Sequence, residues 1–218
     1  PTMPEFTAKG LEMQEAVKSY MDDFIYPNEE EYYAEYESLN DVHATPPMME
    51  KLKAAAKERG LWNLFIPHLD PQAPGTKMSN YDYAPISELL GKVNFASEAL
   101  NCAAPDTGNM EILNLYASDA VKQRWLSPLL EGEIRSAFSM TEPEVASSDA
   151  SNIQLRIDRD GNDYVLNGRK WFSSNALRPE CEVLIVMGKN DPDGPAHRQQ
   201  SMIVVPKATK GISFGRDP

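Results

Sequence analysis

Cysteine and histidine are scarce in this 218-residue chain, with two of the first and three of the second. Cys102 and Cys181 lie far apart with no CxxC spacing, so a disulfide framework is not expected and a reducing compartment is the simplest setting. His43, His68 and His197 show no metal-ligand spacing. No apolar run approaches the roughly 18–20 residues that cross a bilayer. The opening residues, Pro1 to Phe6, lack the basic and apolar regions of a signal peptide, which sets the cytoplasm as the expected compartment and leaves an organelle open. No GxGxxG occurs, so a Rossmann-type nucleotide site is not expected. Positive charge is also short: 21 Lys and Arg against 33 Asp and Glu leave −12, which argues against nucleic acid or an anionic membrane as partner. An anionic ligand would have to be held by local amides and hydroxyls, or by positive groups further along a longer chain.

What is present is an ordinary globular composition, 41% hydrophobic and 25% charged, long enough for one or two domains. Residues 1–133 read as helices. Met13, Val17, Tyr20 and Phe24 form an amphipathic stripe that stops at Pro27, and 28–39 is an acidic continuation with a solvated face. Pro46-Pro47 opens a helix from Met48 to Arg59 that ends at Gly60. A compact apolar segment, 61–67, precedes a proline- and glycine-rich loop. Helices are expected over 80–93, with Ile86, Leu89 and Leu90 inward, over 109–117, and over 118–130 with Ser118 or Asp119 as N-cap and Gly132 as terminator.

From Ile134 the period changes to two. Seven short strands are expected: 137–141, 153–157, 164–166, 169–174, 183–187, 201–205 and 212–214, with hairpin signals at Asp160-Gly161 and Asn167-Gly168. The fold class is therefore α+β: an all-α helical domain, 1–133, followed by an antiparallel β-barrel or sandwich domain, 134–218, that looks incomplete.

The most informative segment is Ser136-Ala-Phe-Ser-Met-Thr-Glu-Pro-Glu-Val-Ala-Ser-Ser-Asp149. A strand-like run breaks at Pro143, which cannot donate to a ladder, into a bend of hydroxyls and amides able to hold an anion. Ser147-Ser148-Asp149 alone would be an ordinary turn. Further on comes Asn167-Gly-Arg-Lys-Trp-Phe-Ser-Ser-Asn175. Together these segments resemble the flavin-binding signature of the acyl-CoA dehydrogenases: Thr-Glu-Pro with a small-residue loop ending in Ser-Asp, then Asn-Gly-x-Lys, an aromatic and a hydroxyl residue. The first loop is one residue longer than the commonest family form, and Phe172 and Ser174 stand where Trp and Thr are more usual. The resemblance extends over essentially the whole chain.

The resemblance implies FAD as cofactor and an acyl-CoA thioester as substrate. Phe138, Ser139, Met140 and Thr141 would meet the flavin ring edge. Phe172 would lie against the isoalloxazine, with Ser173 beside it and Ser174 near N5. Ser147 and Ser148 would serve the pyrophosphate, and Ser148 also coenzyme A. Trp171 is expected to pack inside or under the helices while Phe172 faces the ligand. Glu142 and Asp149 read as solvated loop carboxylates rather than an acid–base pair. The stretch 101–108 either lines the acyl pocket or is an ordinary loop before a core helix. No residue here is expected to be the catalytic base. By resemblance the base lies in a C-terminal helical domain, which makes these residues a fragment. An electron-transfer flavoprotein is the implied acceptor, and a homo-oligomer the implied full-length state. A truncated, non-catalytic partner-binding homologue is the alternative, and an oxidase or monooxygenase on the same scaffold a more distant one.

Overall fold

The computed structural model describes residues 5–215, and these fall into two compact units that divide between Glu133 and Ile134. The leader reading over Pro1 to Pro4 and the closing Arg216-Asp217-Pro218 lie outside the described residues.

In the first unit, Thr7 caps α1 (Ala8–Tyr20) by accepting from the Gly10 N–H. The chain continues through a π-helical turn, Met21–Ile25, and a 3₁₀ turn, Tyr26–Asn28, that accommodates Pro27, into α2 (Glu29–Ser38). The extra residue of a π turn rotates the side-chain phase. Val17 and Tyr20 of the expected stripe are buried, but Ile25 and not Phe24 follows them into the core. α3 (Met48–Glu58) buries Met49, Leu52 and Ala56. The segment 61–66 is fully buried yet irregular, because Asn63 and Asn101 satisfy its polar groups: Asn63 Nδ2 and Trp62 Nε1 both donate to Leu130 O, and Asn101 Nδ2 donates to Asn63 Oδ1 at 2.7 Å. α4 (Asn80–Leu90), α5 (Ala96–Ala99) and α6 (Asp106–Tyr116) follow, α6 starting three residues before the expected point. The last helical stretch, α7 (Asp119–Val121), a π turn (Lys122–Leu126) and α8 (Ser127–Glu131), ends where Gly132 turns left-handed at φ 73°.

The second unit holds one open, mixed sheet: β1 (Arg135–Ser139), β2 (Arg156–Asp160), β3 (Asp163–Asn167), β4 (Cys181–Lys189) and β5 (Gln200–Pro206). Its order is β1-β4-β2-β3, with β5 also on β4. The antiparallel expectation needs correction, since β1 and β2 both run parallel to β4 and only β2–β3 and β4–β5 are antiparallel. Period and turn signals place strands but carry no pairing direction, and the β1-to-β4 crossover encloses the β2–β3 hairpin. β4 itself shows its central position: Cys181 and the run Val183 to Val186 are buried on both faces. Two expected strands are absent, since 169–174 and 212–214 are irregular. The core joins Ala137, Leu155, Ile157, Leu184, Val186 and Val205.

Candidate functional site

β1 delivers Phe138 and Ser139, and the chain leaves the sheet at Met140 and Thr141. After Pro143 the loop folds on itself. Ser147, 7% exposed, accepts from the Glu142 N–H at 2.8 Å and donates back to Glu142 O and Val145 O. Its hydroxyl is thus occupied in shaping the bend. Asp149 caps the following turn, accepting from the Ser151 hydroxyl and N–H, and these two bonds hold its carboxyl below the usual range. Ser148, between them, faces solvent.

The second loop leaves β3 at Asn167. A Cβ on Gly168 would stand 2.8 Å from Leu155, so only glycine lets the backbone pass that close to the core. Phe172 adopts φ 53° and Asn175 φ 70°, conformations that L side chains with a Cβ seldom take. Phe172 is 60% exposed and stacks on Trp171, with ring centroids 4.5 Å apart and planes 13° from parallel. Trp171 is itself 42% exposed, which corrects the expectation that it packs inside: without a ladder over 169–174, the two rings do not alternate between faces.

These loops, thirty residues apart in sequence, are joined by direct bonds. The Trp171 N–H donates to Thr141 O at 2.8 Å, Lys170 Nζ to Met140 O at 2.8 Å, and the Ser173 hydroxyl to the Ser139 hydroxyl at 3.0 Å. Asn175 Nδ2 reaches Ser136 O at 3.2 Å. Of the residues named from the sequence, Ser139, Met140, Thr141 and Ser173 therefore lie along one seam. The hydroxyls of Thr141, Ser148 and Ser174 have no protein partner among the described residues.

Glu142 also departs from its expected setting. It is a buried group, not a solvated one, and pairs with Lys170 at 2.8 Å, the side chains being 3% and 9% exposed. Its carboxylate also accepts from the N–H groups of Gln154 at 2.7 Å and Leu155 at 2.9 Å. Burial pushes the carboxyl up, but the Lys170 bond and the two amides outweigh it and hold it below the usual range. Burial also pulls the Lys170 ammonium down, against the opposing pull of Glu142. Each residue stands inside one of the two motifs, but nothing local in the sequence marks either as buried. At the surface, Arg169 pairs with Glu144 across the same seam.

Helices first, a mixed sheet second, and a proline-bent loop fastened to a glycine-turned one place the chain in a two-part helical-plus-β class. Residues 7–133 match the family description "Acyl-CoA dehydrogenase, N-terminal domain", and residues 137–218 match "Acyl-CoA dehydrogenase, middle domain". The chain belongs to the acyl-CoA dehydrogenase family. It is 48% identical to the probable acyl-CoA dehydrogenase FadE2 of Mycobacterium tuberculosis over 96% of its own length and 51% of that protein's. A Mycobacterium abscessus structure assigned to the acyl-CoA dehydrogenases is 42% identical with a TM-score of 0.91, covering 98% of this chain and 54% of that one. A glutaryl-CoA dehydrogenase from Mycobacterium smegmatis, solved in complex with FADH2, shares the fold at 24% identity with a TM-score of 0.70, over 95% of this chain and 48% of that one. The chain thus spans about half the length of these relatives.

Proposed function

We propose that these residues are the helical N-terminal part and the flavin-facing β part of an FAD-dependent acyl-CoA dehydrogenase, which converts an acyl-CoA thioester to its α,β-unsaturated product. The observation that carries this reading is the seam itself. Two loops that the sequence keeps apart are bonded together, presenting three hydroxyls without a partner among the described residues and an exposed aromatic pair. That donor set fits a flavin, which needs an apolar wall, hydrogen-bond partners for its pyrimidine edge and donors for its pyrophosphate.

When bound, FAD would supply a two-electron acceptor for the β-hydrogen leaving as hydride. The chain's own residues bind and orient. Phe138 to Thr141 would border the ring edge, with the Thr141 hydroxyl as the hydrogen-bonding group. Phe172 would lie against the ring, backed by Trp171, with Ser173 fixing the seam and Ser174 as the hydroxyl nearest the reacting edge. Ser148 offers its hydroxyl to the pyrophosphate and to coenzyme A, while Ser147 holds the bend that presents it. The α-proton passes to a carboxylate outside these residues, a reading supported by relatives about twice as long. An electron-transfer flavoprotein would be the electron acceptor, and the working state is a cytoplasmic homo-oligomer.

The test is spectroscopic. The purified polypeptide that carries these residues should show a flavin absorbance band that bleaches when an acyl-CoA is added without oxygen. A colourless protein that takes up no FAD contradicts the proposal, and so does acyl-CoA turnover with an artificial acceptor by the 218-residue chain alone.

A further inference from the structure

Three segments of the chain converge on the Glu142 carboxylate. Oε1 accepts from Lys170 Nζ and the Leu155 N–H, and Oε2 from the Gln154 N–H. Lys170 in turn donates to Met140 O. One buried carboxylate and one buried ammonium therefore tie the proline-bent loop, the glycine-turned loop and the entry to β2 to one another. Leu155 belongs to the core, and its carbonyl accepts from the Lys189 N–H at 2.7 Å, so the anchor reaches into β4. Neither residue points its charge at the hydroxyls and rings assigned to the cofactor: both charges are used up inside the protein.

We infer that the Glu142–Lys170 pair is a positioning clasp that fixes the spacing of Thr141 and Phe172 before the cofactor arrives. The inference rests on the flavin reading of this seam and adds to it a pair that acts only through others. The chemistry is demanding. A carboxylate can accept from all three donors at once, whereas a glutamine at 142 must turn its NH₂ toward one of them, leaving two donors face to face. A methionine at 170 leaves the carboxylate buried with its charge uncompensated. Either change should let the loops part. By contrast, the Arg169–Glu144 pair joins the same loops with side chains 75% and 49% exposed, and its loss should be tolerated.

The test uses the whole polypeptide that carries these residues, as wild type, Glu142→Gln, Glu142→Asp, Lys170→Met and Arg169→Ala. Ile157→Val serves as a core control that lowers stability without touching the seam. Two quantities are read: amide hydrogen exchange over 139–149 and 168–176, and the FAD dissociation constant of the apoprotein. The expected result is faster exchange in both segments and FAD binding weakened by about tenfold or more in Glu142→Gln and Lys170→Met. Arg169→Ala and Ile157→Val should stay within about twofold of wild type. Should the larger changes unfold the chain, Glu142→Asp decides: it keeps the charge but draws the carboxylate back by one methylene, and should fold while binding FAD more weakly. Wild-type exchange and affinity in the folded variants would overturn the clasp while leaving the flavin reading intact. A wild type that binds no FAD would overturn the flavin reading, and the clasp with it.

Discussion

Two ion pairs cross one seam, and losing one partner should cost several times more in the buried pair than in the exposed one. Removing Lys170 strands a buried carboxylate and should cost about 3–5 kcal/mol of stability. Removing Arg169 from its exposed pair should cost under about 1 kcal/mol. Urea unfolding of Lys170→Met and Arg169→Ala beside wild type checks both. The sign of the pH dependence follows from Glu142, whose folded pKa is depressed. Its contribution is fully present above the ordinary glutamate pKa of about 4.3 and is lost as pH falls through the depressed folded value. The stability gap between wild type and Glu142→Gln should therefore close in acid, and an unchanged gap would mean that the carboxylate is not held as described. A third residue-scale expectation concerns the thiols. Burial pushes the Cys102 thiol up to about 11, against bonds from Leu64, Tyr83 and Phe65 that favour the thiolate. Cys102 and Cys181 are both buried. A thiol reagent should label neither until denaturant is added, and rapid native labelling would contradict this burial.

At the scale of elements, the sequence reveals a great deal about existence and little about pairing. Periodicity and caps located the helices because the apolar face of an isolated helix is written in its own residues. The π turn at Met21–Ile25 escaped, since nothing local marks the inserted residue that moves Ile25 inward. Strands β2 and β3 announced themselves through Asp160-Gly161, but the parallel partnership of β1 with β4 joins segments forty residues apart and leaves no local trace. The segment 169–174 had strand-like residues, yet tertiary bonds to Met140 and Thr141 claimed its backbone and Lys170 side chain instead. Glycine at 168 makes that possible. Gly168→Ala would drive a methyl group into Leu155 and should cost about 1–3 kcal/mol, with faster exchange over the second loop. A substitution without effect in unfolding and exchange would show that the close passage is unimportant.

At the scale of the whole molecule, the family was legible from two short motifs, while the clasp that fastens them was not. Glu142 and Lys170 both stood inside those motifs, but a loop carboxylate beside proline gives no sign of burial until the loops are folded together. Membership of the acyl-CoA dehydrogenase family then rests on matches along almost the entire chain, and the fold places the matched motifs side by side. The proposed function joins those motifs in one flavin site, and its most direct measurement is the structure of the FAD-loaded polypeptide that carries these residues. It should show the isoalloxazine in van der Waals contact with Phe172 and within hydrogen-bond reach of Thr141, with the Glu142–Lys170 pair unbroken beneath. A nucleotide lodged away from both loops would contradict it.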